Sequence, residues 1–395
     1  MDSDDENFQR LVDEEFGKLV AAVQDEADEE EAAAIPRPRY RRRFINRDHV
    51  GADQRLMEDY FGDNPRYKPE IFRRRFRMSQ RLFIHIADCL SQRYRCFTLR
   101  SDATGRPGLS TYQKCTTAIR QLAYAGPADM FDEYLQMGET TALKTLRQFC
   151  KGIKELFKGE YLRKPTAEEC QRLINMHGTV HHFPGMMGSI DCMHWEWRNC
   201  PVAWKGQFTS GFKGLHPTMI LEAVADYRLR ICFVANGTQY NRAYYLADGI
   251  YPRWPVFVKT IRQPVGPKQT YFAKKQEGAR KDVERAFGVL QSRWAILRCP
   301  LRQWHENDVA DIMTACIILH NMIIEDEGFT AERWTPEDGA STSHGIATPP
   351  LQMGVPRSNE YLIQRFTNMR SEISHSTLQA DLVEEVWNRR GGGAA

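Results

Sequence analysis

Gly188-Ser-Ile-Asp-Cys-Met-His-Trp-Glu-Trp197 alternates in polarity and is rich in aromatics, a pattern that predicts a β-strand. An acid, Asp191, sits in the middle of this apolar run. Thr218–Asp226 predicts a second, apolar strand, and Ala243–Ile250 a third that ends on Asp248-Gly249. Lys281–Leu297 and Val309–Ile324 have helical spacing. Strands followed by helices fit an α/β layer.

Two further carboxylates stand out by position. Asp248 closes a strand, and Glu284 lies beside the helical apolar stripe Val283, Phe287, Leu290, Trp294 and Leu297, with Gly288 one turn on. Acids seldom occupy such places unless they are paired or bind a metal. Hard divalent cations take oxygen ligands, and two such ions would activate a water and stabilise a leaving oxygen in phosphodiester cleavage. Arg280, Lys281 and Arg285 flank Glu284, so each acid also suits a plain ion-paired or capping role.

Upstream, residues 53–98 read as helical, with Arg73, Arg74, Arg75 and Arg77 between apolar positions. Lys114–Tyr124, Ala128–Gln136 and a third helix, capped by Thr140 or Thr141 and running to about Phe157, suggest a helix–turn–helix. On the third helix Leu143, Leu146, Phe149 or Cys150, Ile153 and Phe157 make the apolar stripe. Lys144, Arg147, Lys151 and Lys154 share the opposite face. That face suits phosphate contacts along DNA, and equally an ordinary solvated helix.

With 42% hydrophobic and 11% aromatic residues in 395, a wholly disordered chain is excluded. The longest apolar run, Ala315–Ile324, contains His320 and Asn321 and falls short of the about 20 residues of a membrane span. Ten cysteines show no C-x-x-C spacing, which argues against a zinc or redox motif of the usual kind. Residues 1–31 hold thirteen acids against Arg10 and Lys18, whereas residues 32–80 are net basic. An acidic tail over 1–35, a helical DNA-binding part over 36–170, an α/β domain over 180–325 and a linker with helical tail over 326–395 are expected, both ends being disordered. Arg37-Pro-Arg-Tyr-Arg-Arg-Arg43 reads as a nuclear-import or phosphate-binding segment, or as a solvated linker.

The stretches 188–197, Cys200-Pro-Val-Ala-Trp-Lys-Gly206, Tyr244-Tyr-Leu-Ala-Asp-Gly-Ile-Tyr-Pro252, Arg280-Lys-Asp-Val-Glu-Arg-Ala-Phe-Gly-Val-Leu-Gln-Ser-Arg293 and Ala315-Cys-Ile-Ile-Leu-His-Asn-Met-Ile323 resemble the plant branch of the PIF/Harbinger transposases, as does Asp132-Glu-Tyr-Leu-Gln-Met-Gly-Glu139. The resemblance spans roughly residues 40–327. It implies an RNase H-like DDE nuclease domain in which Asp191, Asp248 and Glu284 hold Mg²⁺ or Mn²⁺ for DNA cleavage and strand transfer. It further implies double-stranded DNA as substrate, a Myb-like partner protein and nuclear localisation.

One departure stands against that implication. The family carries a further acid in a Gly-Ser-x-x-Asp-like segment between the third and fourth strands, and this chain passes from Ile231 almost directly into Val234 and Tyr244. Parallel strands need a crossover of a dozen or more residues, usually helical. Residues 232–243, fully extended, reach ~40 Å. That crosses three strand spacings (~15 Å) and returns along a strand (~20 Å), with nothing left for a covering helix. A bared apolar face and a displaced Asp248 strand are expected, and with them weakened metal affinity and cleavage. The alternative is a non-catalytic DNA-binding or interaction protein on the same scaffold.

Overall fold

The computed structural model describes residues 45–209, 216–232, 243–328 and 372–391. The acidic tail and Arg37–Arg43 lie outside them. The expected helical stretch 53–98 is three helices, each with a local cause. Helix α1 (His49–Leu56) runs on through a π turn and stops at Gly62. Helix α2 (Pro69–Phe76) starts on proline and ends where Arg77 takes the left-handed region at φ 65°. Helix α3 (Gln80–Arg93) starts on Ser79, whose Oγ accepts the Leu82 N–H.

Helix α4 (Thr111–Tyr124) opens with a capping box between Ser110 and Gln113. After the short α5 (Phe131–Leu135), α6 runs from Glu139 to Tyr161. Its first turn follows Gly138, so Thr140 and Thr141 lie inside the helix and do not cap it. Leu146, Phe149, Cys150, Ile153 and Phe157 are buried as expected, but Leu143 is exposed. Helix α7 (Ala167–Val180) begins on a second capping box, Thr166 with Glu169.

The sheet is mixed, in the order β3-β2-β1-β4-β5. Strand β1 (Met186–Glu196) pairs antiparallel with β2 (Thr218–Ala225), which pairs antiparallel with β3 (Ile231–Cys232). On its other side β1 is parallel to β4 (Tyr244–Ala247), and β4 to β5 (Phe257–Lys259). The register shifts between Met186 and Gly188. Gly188 has φ 155°, and a Cβ there would stand 2.7 Å from the Ala225 carbonyl oxygen, so only glycine lets β2 approach.

Helix α8 (Gly266–Arg293) starts fifteen residues before the predicted Lys281, behind Pro267 in its first turn. Helix α9 spans Glu306–Glu327 and α10 Glu372–Asn388. Helices α8 and α10, with Phe183 from the loop before β1, cover one sheet face, where Phe183, Leu246, Val258, Phe272, Leu382 and Val386 pack together. On the other face, Ile190, Val224, Ala247 and Tyr251 form a small cluster with Cys192, Tyr245 and Phe257. Among the described residues, strands and the β4–β5 loop supply that whole cluster. Among the described residues on this face, Ile190 and Val224 are buried and Ile220 is 57% exposed.

Helix α9 is long and apolar enough to cross a membrane, but most of it is buried. It packs against α6 within the main core, which continues to Trp195 of β1 and to Trp197 just past its end. It also grips the end of the sheet. Asn321 Oδ1 accepts the Ile231 N–H at 3.1 Å, and its Nδ2 donates to the Ile231 and Tyr161 carbonyls, each at 2.9 Å. The neighbouring His320 donates from Nε2 to the Leu229 carbonyl at 2.9 Å and accepts from Arg293 at Nδ1, 3.0 Å.

These partners fix a neutral imidazole, and burial, helped by the Arg293 charge, pushes the His320 pKa down to about 3. Unfolding restores an ordinary value near 6.5, so the unfolded chain binds the extra proton. The stability this residue contributes is complete above about pH 6.5 and drains away as the pH falls toward 3. Asp226, buried in the β2–β3 turn and raised to about 6, works in the opposite sense below that pH. Going from pH 7 to 5, the wild type is expected to lose about 2 kcal/mol more than His320→Gln. Urea midpoints at the two pH values check this; equal losses would rule it out.

Candidate active site

Two of the three predicted carboxylates are brought side by side by strand register. Ile190 of β1 is paired with Ala247 of β4, and Asp191 and Asp248 are the next residues of these parallel strands. Helix α8 is stitched beneath them. Ser189 Oγ donates to the Ala279 carbonyl at 2.9 Å, and Gln276 Nε2 donates to the Ala247 and Val258 carbonyls at 3.3 and 3.1 Å. Gln276, Arg280 and Glu284 then follow one another at single-turn spacing along one face of α8.

Arg280 joins the helix to the strand. One guanidinium nitrogen lies 3.3 Å from Asp191 Oδ2 and the other 2.7 Å from Glu284 Oε1. Asp191 Oδ1 accepts the Cys192 N–H at 2.8 Å, and Asp248 Oδ1 accepts the Gly249 N–H at 2.6 Å. Each aspartate thus has one oxygen oriented by backbone. Lys259 Nζ donates to the Gly249 carbonyl at 3.1 Å; burial, with Arg253 and Arg262 nearby, lowers its pKa. Gly288 opens the next turn, where a Cβ would meet nothing within 4 Å. Behind Asp191, the Tyr251 hydroxyl lies 3.3 Å from Cys192 Sγ, and burial pushes its pKa up.

The predicted phosphate contacts are dispersed. Arg147 pairs with Asp308 at 3.1 Å and Lys154 with Asp311 at 2.6 Å, so both line the seam between α6 and α9. Lys144 and Lys151 point to solvent, Lys151 facing Glu155 at 3.9 Å. Arg73 pairs with Glu327 at 2.8 Å, Arg75 lies over the Tyr67 ring and bonds the Tyr60 hydroxyl, and Arg77 lies over Tyr124. Arg74 is exposed.

Sequence reading did not single out Gln276, and took Arg280 only as a flanking charge. The four-residue recurrence of 276, 280, 284 and 288 was the available signal.

Residues 159–234 and 229–331 match the family described as plant transposon protein, and residues 53–91 match a domain of unknown function. Together the two plant transposon protein matches span residues 159–331, less than half of the chain. An Arabidopsis thaliana protein, ALP1-like, is 22% identical over 303 residues, which cover 67% of this chain and 73% of that protein. No solved structure matches the chain. The two family matches overlap at residues 229–234.

Proposed function

We propose that the chain is a divalent-metal-dependent enzyme of DNA cleavage and strand transfer on an RNase H-like scaffold, with low activity. The observation that carries this reading is the placement of Asp191, midway along β1, beside Asp248, just past the end of the adjacent parallel strand β4, with Glu284 tied to Asp191 through Arg280. The strand order β3-β2-β1-β4-β5 is the RNase H-like order. Three carboxylates, none of them fully buried, offer the all-oxygen donor set that Mg²⁺ or Mn²⁺ takes. When bound there, the cation supplies activation of the attacking water and charge stabilisation at the phosphate.

The protein's own part is orientation. Backbone N–H groups fix one oxygen of each aspartate, Gln276 ties α8 to the Asp248 strand, and Arg280 offsets the repulsion between the carboxylates it touches. Exposed Lys144, Lys151 and Arg74 are the residues left for duplex phosphates. Double-stranded DNA as substrate, a Myb-like partner and nuclear import through Arg37–Arg43 belong to this proposal.

The test is incubation of the purified chain with Mg²⁺ or Mn²⁺ and a terminal-repeat duplex. Slow nicking that disappears in Asp191→Ala and Glu284→Ala is expected. Duplex binding without nicking would select the non-catalytic reading, which the Arg280 contacts to two of the three acids favour. Arg280→Ala should lower metal-free stability by about 1–2 kcal/mol, through lost charge-assisted bonds at partly exposed groups. It should also enlarge the rise in melting temperature that Mn²⁺ produces, because a competing cation is gone. Melts with and without Mn²⁺ check both effects.

A further inference from the structure

A second cluster of ligating side chains lies on the inner flank of α8. His177 of α7, His181 just past its end, and Asp282 of α8 each place one ligand atom within 4.8 Å of the others. His177 and Asp282 are fully buried, and the two imidazoles stack with centroids 5.6 Å apart and planes 17° off parallel. His181 Nε2 lies 2.7 Å from Asp282 Oδ2, and Arg285 takes the other carboxylate oxygen. Tyr227 stands edge-on to the His181 ring at 5.5 Å.

His177 is the unexplained member. Both of its ring nitrogens are buried, and neither has a hydrogen-bond partner. An imidazole in that position costs desolvation that an apolar side chain of similar size would not. Burial also holds it neutral, with its pKa down at about 4, and the neutral ring is the form that ligates metals.

We propose that His177, His181 and Asp282 bind a transition-metal ion of the Zn²⁺ class and so staple α7 to α8. Two imidazole nitrogens and one carboxylate oxygen form a three-ligand set that Zn²⁺ completes with a fourth, external ligand. Imidazole is a poor choice for Mg²⁺, which takes oxygen. The site is therefore chemically separate from Asp191, Asp248 and Glu284. On binding, Asp282 Oδ2 turns from His181 to the ion, while Arg285 on Oδ1 serves as the outer partner that orients the carboxylate. Helix α7 leads into β1 with Asp191, and α8 carries Glu284, so the staple fixes the two elements that must meet at the acidic site.

The full chain, stripped with a chelator, is titrated with Zn²⁺ and separately with Co²⁺. One tight Zn²⁺ per chain, a visible Co²⁺ absorption band and a raised melting temperature are expected. His177→Phe should fold at least as stably without metal. It should weaken Zn²⁺ binding by more than the about 10- to 100-fold that loss of an outer partner costs. Asp282→Asn should weaken it too, which covers the case of His177→Phe failing to fold. The double variant Asp191→Ala, Glu284→Ala should bind Zn²⁺ as the wild type does. Equal Zn²⁺ affinity in wild type, His177→Phe and Asp282→Asn would overturn the assignment, and so would loss of binding in the double variant.

Discussion

Replacing Asn321 by leucine is expected to cost about 3–5 kcal/mol of stability. Leucine keeps the branched shape of the side chain, but its methyl groups are bulkier than the amide oxygen and nitrogen, so overpacking adds to the loss of hydrogen bonds. Asn321 is 1% exposed and serves three backbone groups: the Ile231 N–H, the Ile231 carbonyl and the Tyr161 carbonyl. Each becomes an unsatisfied buried group, at about 1–3 kcal/mol apiece, with some relief by local relaxation. The side-chain amide acts as a surrogate partner for a strand only two residues long at the edge of the sheet. It also ties that edge to the end of α6. Chemical denaturation gives the magnitude, and amide exchange at Ile231 gives the location. A loss under 1 kcal/mol with Ile231 still protected would show that α9 does not hold the edge. Asn321→Asp is a useful contrast. It keeps an acceptor for the Ile231 N–H but sets an acceptor against two carbonyls, so it should fare no better.

The long, patterned elements could be read directly from the residues. Strand β1 was legible because Gly188–Trp197 alternates in polarity, and α9 because its apolar positions recur at helical spacing. Asp191 and Asp248 were legible as acids in apolar company. Strands β3 and β5 were not, since two or three residues carry no period. The first half of α8 was missed because Lys268, Lys274, Lys275 and Glu277 blur its stripe. Arg147 and Lys154 looked like a free basic face because pairing with Asp308 and Asp311 needs α9, about 160 residues away in the chain. Asn321 read as a blemish in an apolar run for the same reason: its partners, Tyr161 and Ile231, are supplied only by the fold. His177 and His181 did show one-turn spacing, but without Asp282 nothing distinguished them from two ordinary helical histidines.

Inserting a helical crossover segment between Ile231 and Val234 is expected to raise metal-dependent cleavage by about 10²-fold, the factor that ~1 Å of misplacement at a reacting centre costs. The weak point is the carrier of Asp248. Strand β4 is four residues long, and its register with β1 is made by Tyr244, Tyr245, Leu246 and Ala247 alone. On the face away from α8, the described cover of Ile190 and Ala247 is Tyr251, Tyr245 and Phe257. Tyr251 stands three residues past Asp248, so the loop that sets the acid's backbone is also the lid over its strand. Motion in that loop therefore moves both a ligand and its support. A separate helix over the same face would take the covering role from Tyr251 and leave the Asp248-Gly249 turn to position the carboxylate. The comparison uses Mn²⁺, a terminal-repeat duplex and three proteins: the chain as it stands, the insertion variant, and the insertion variant carrying Asp191→Ala. The gain should appear in the second and vanish in the third, while duplex affinity changes little. Cleavage by the unmodified chain at the insertion variant's rate would mean that the short β3–β4 connection leaves the acidic site fully preorganised.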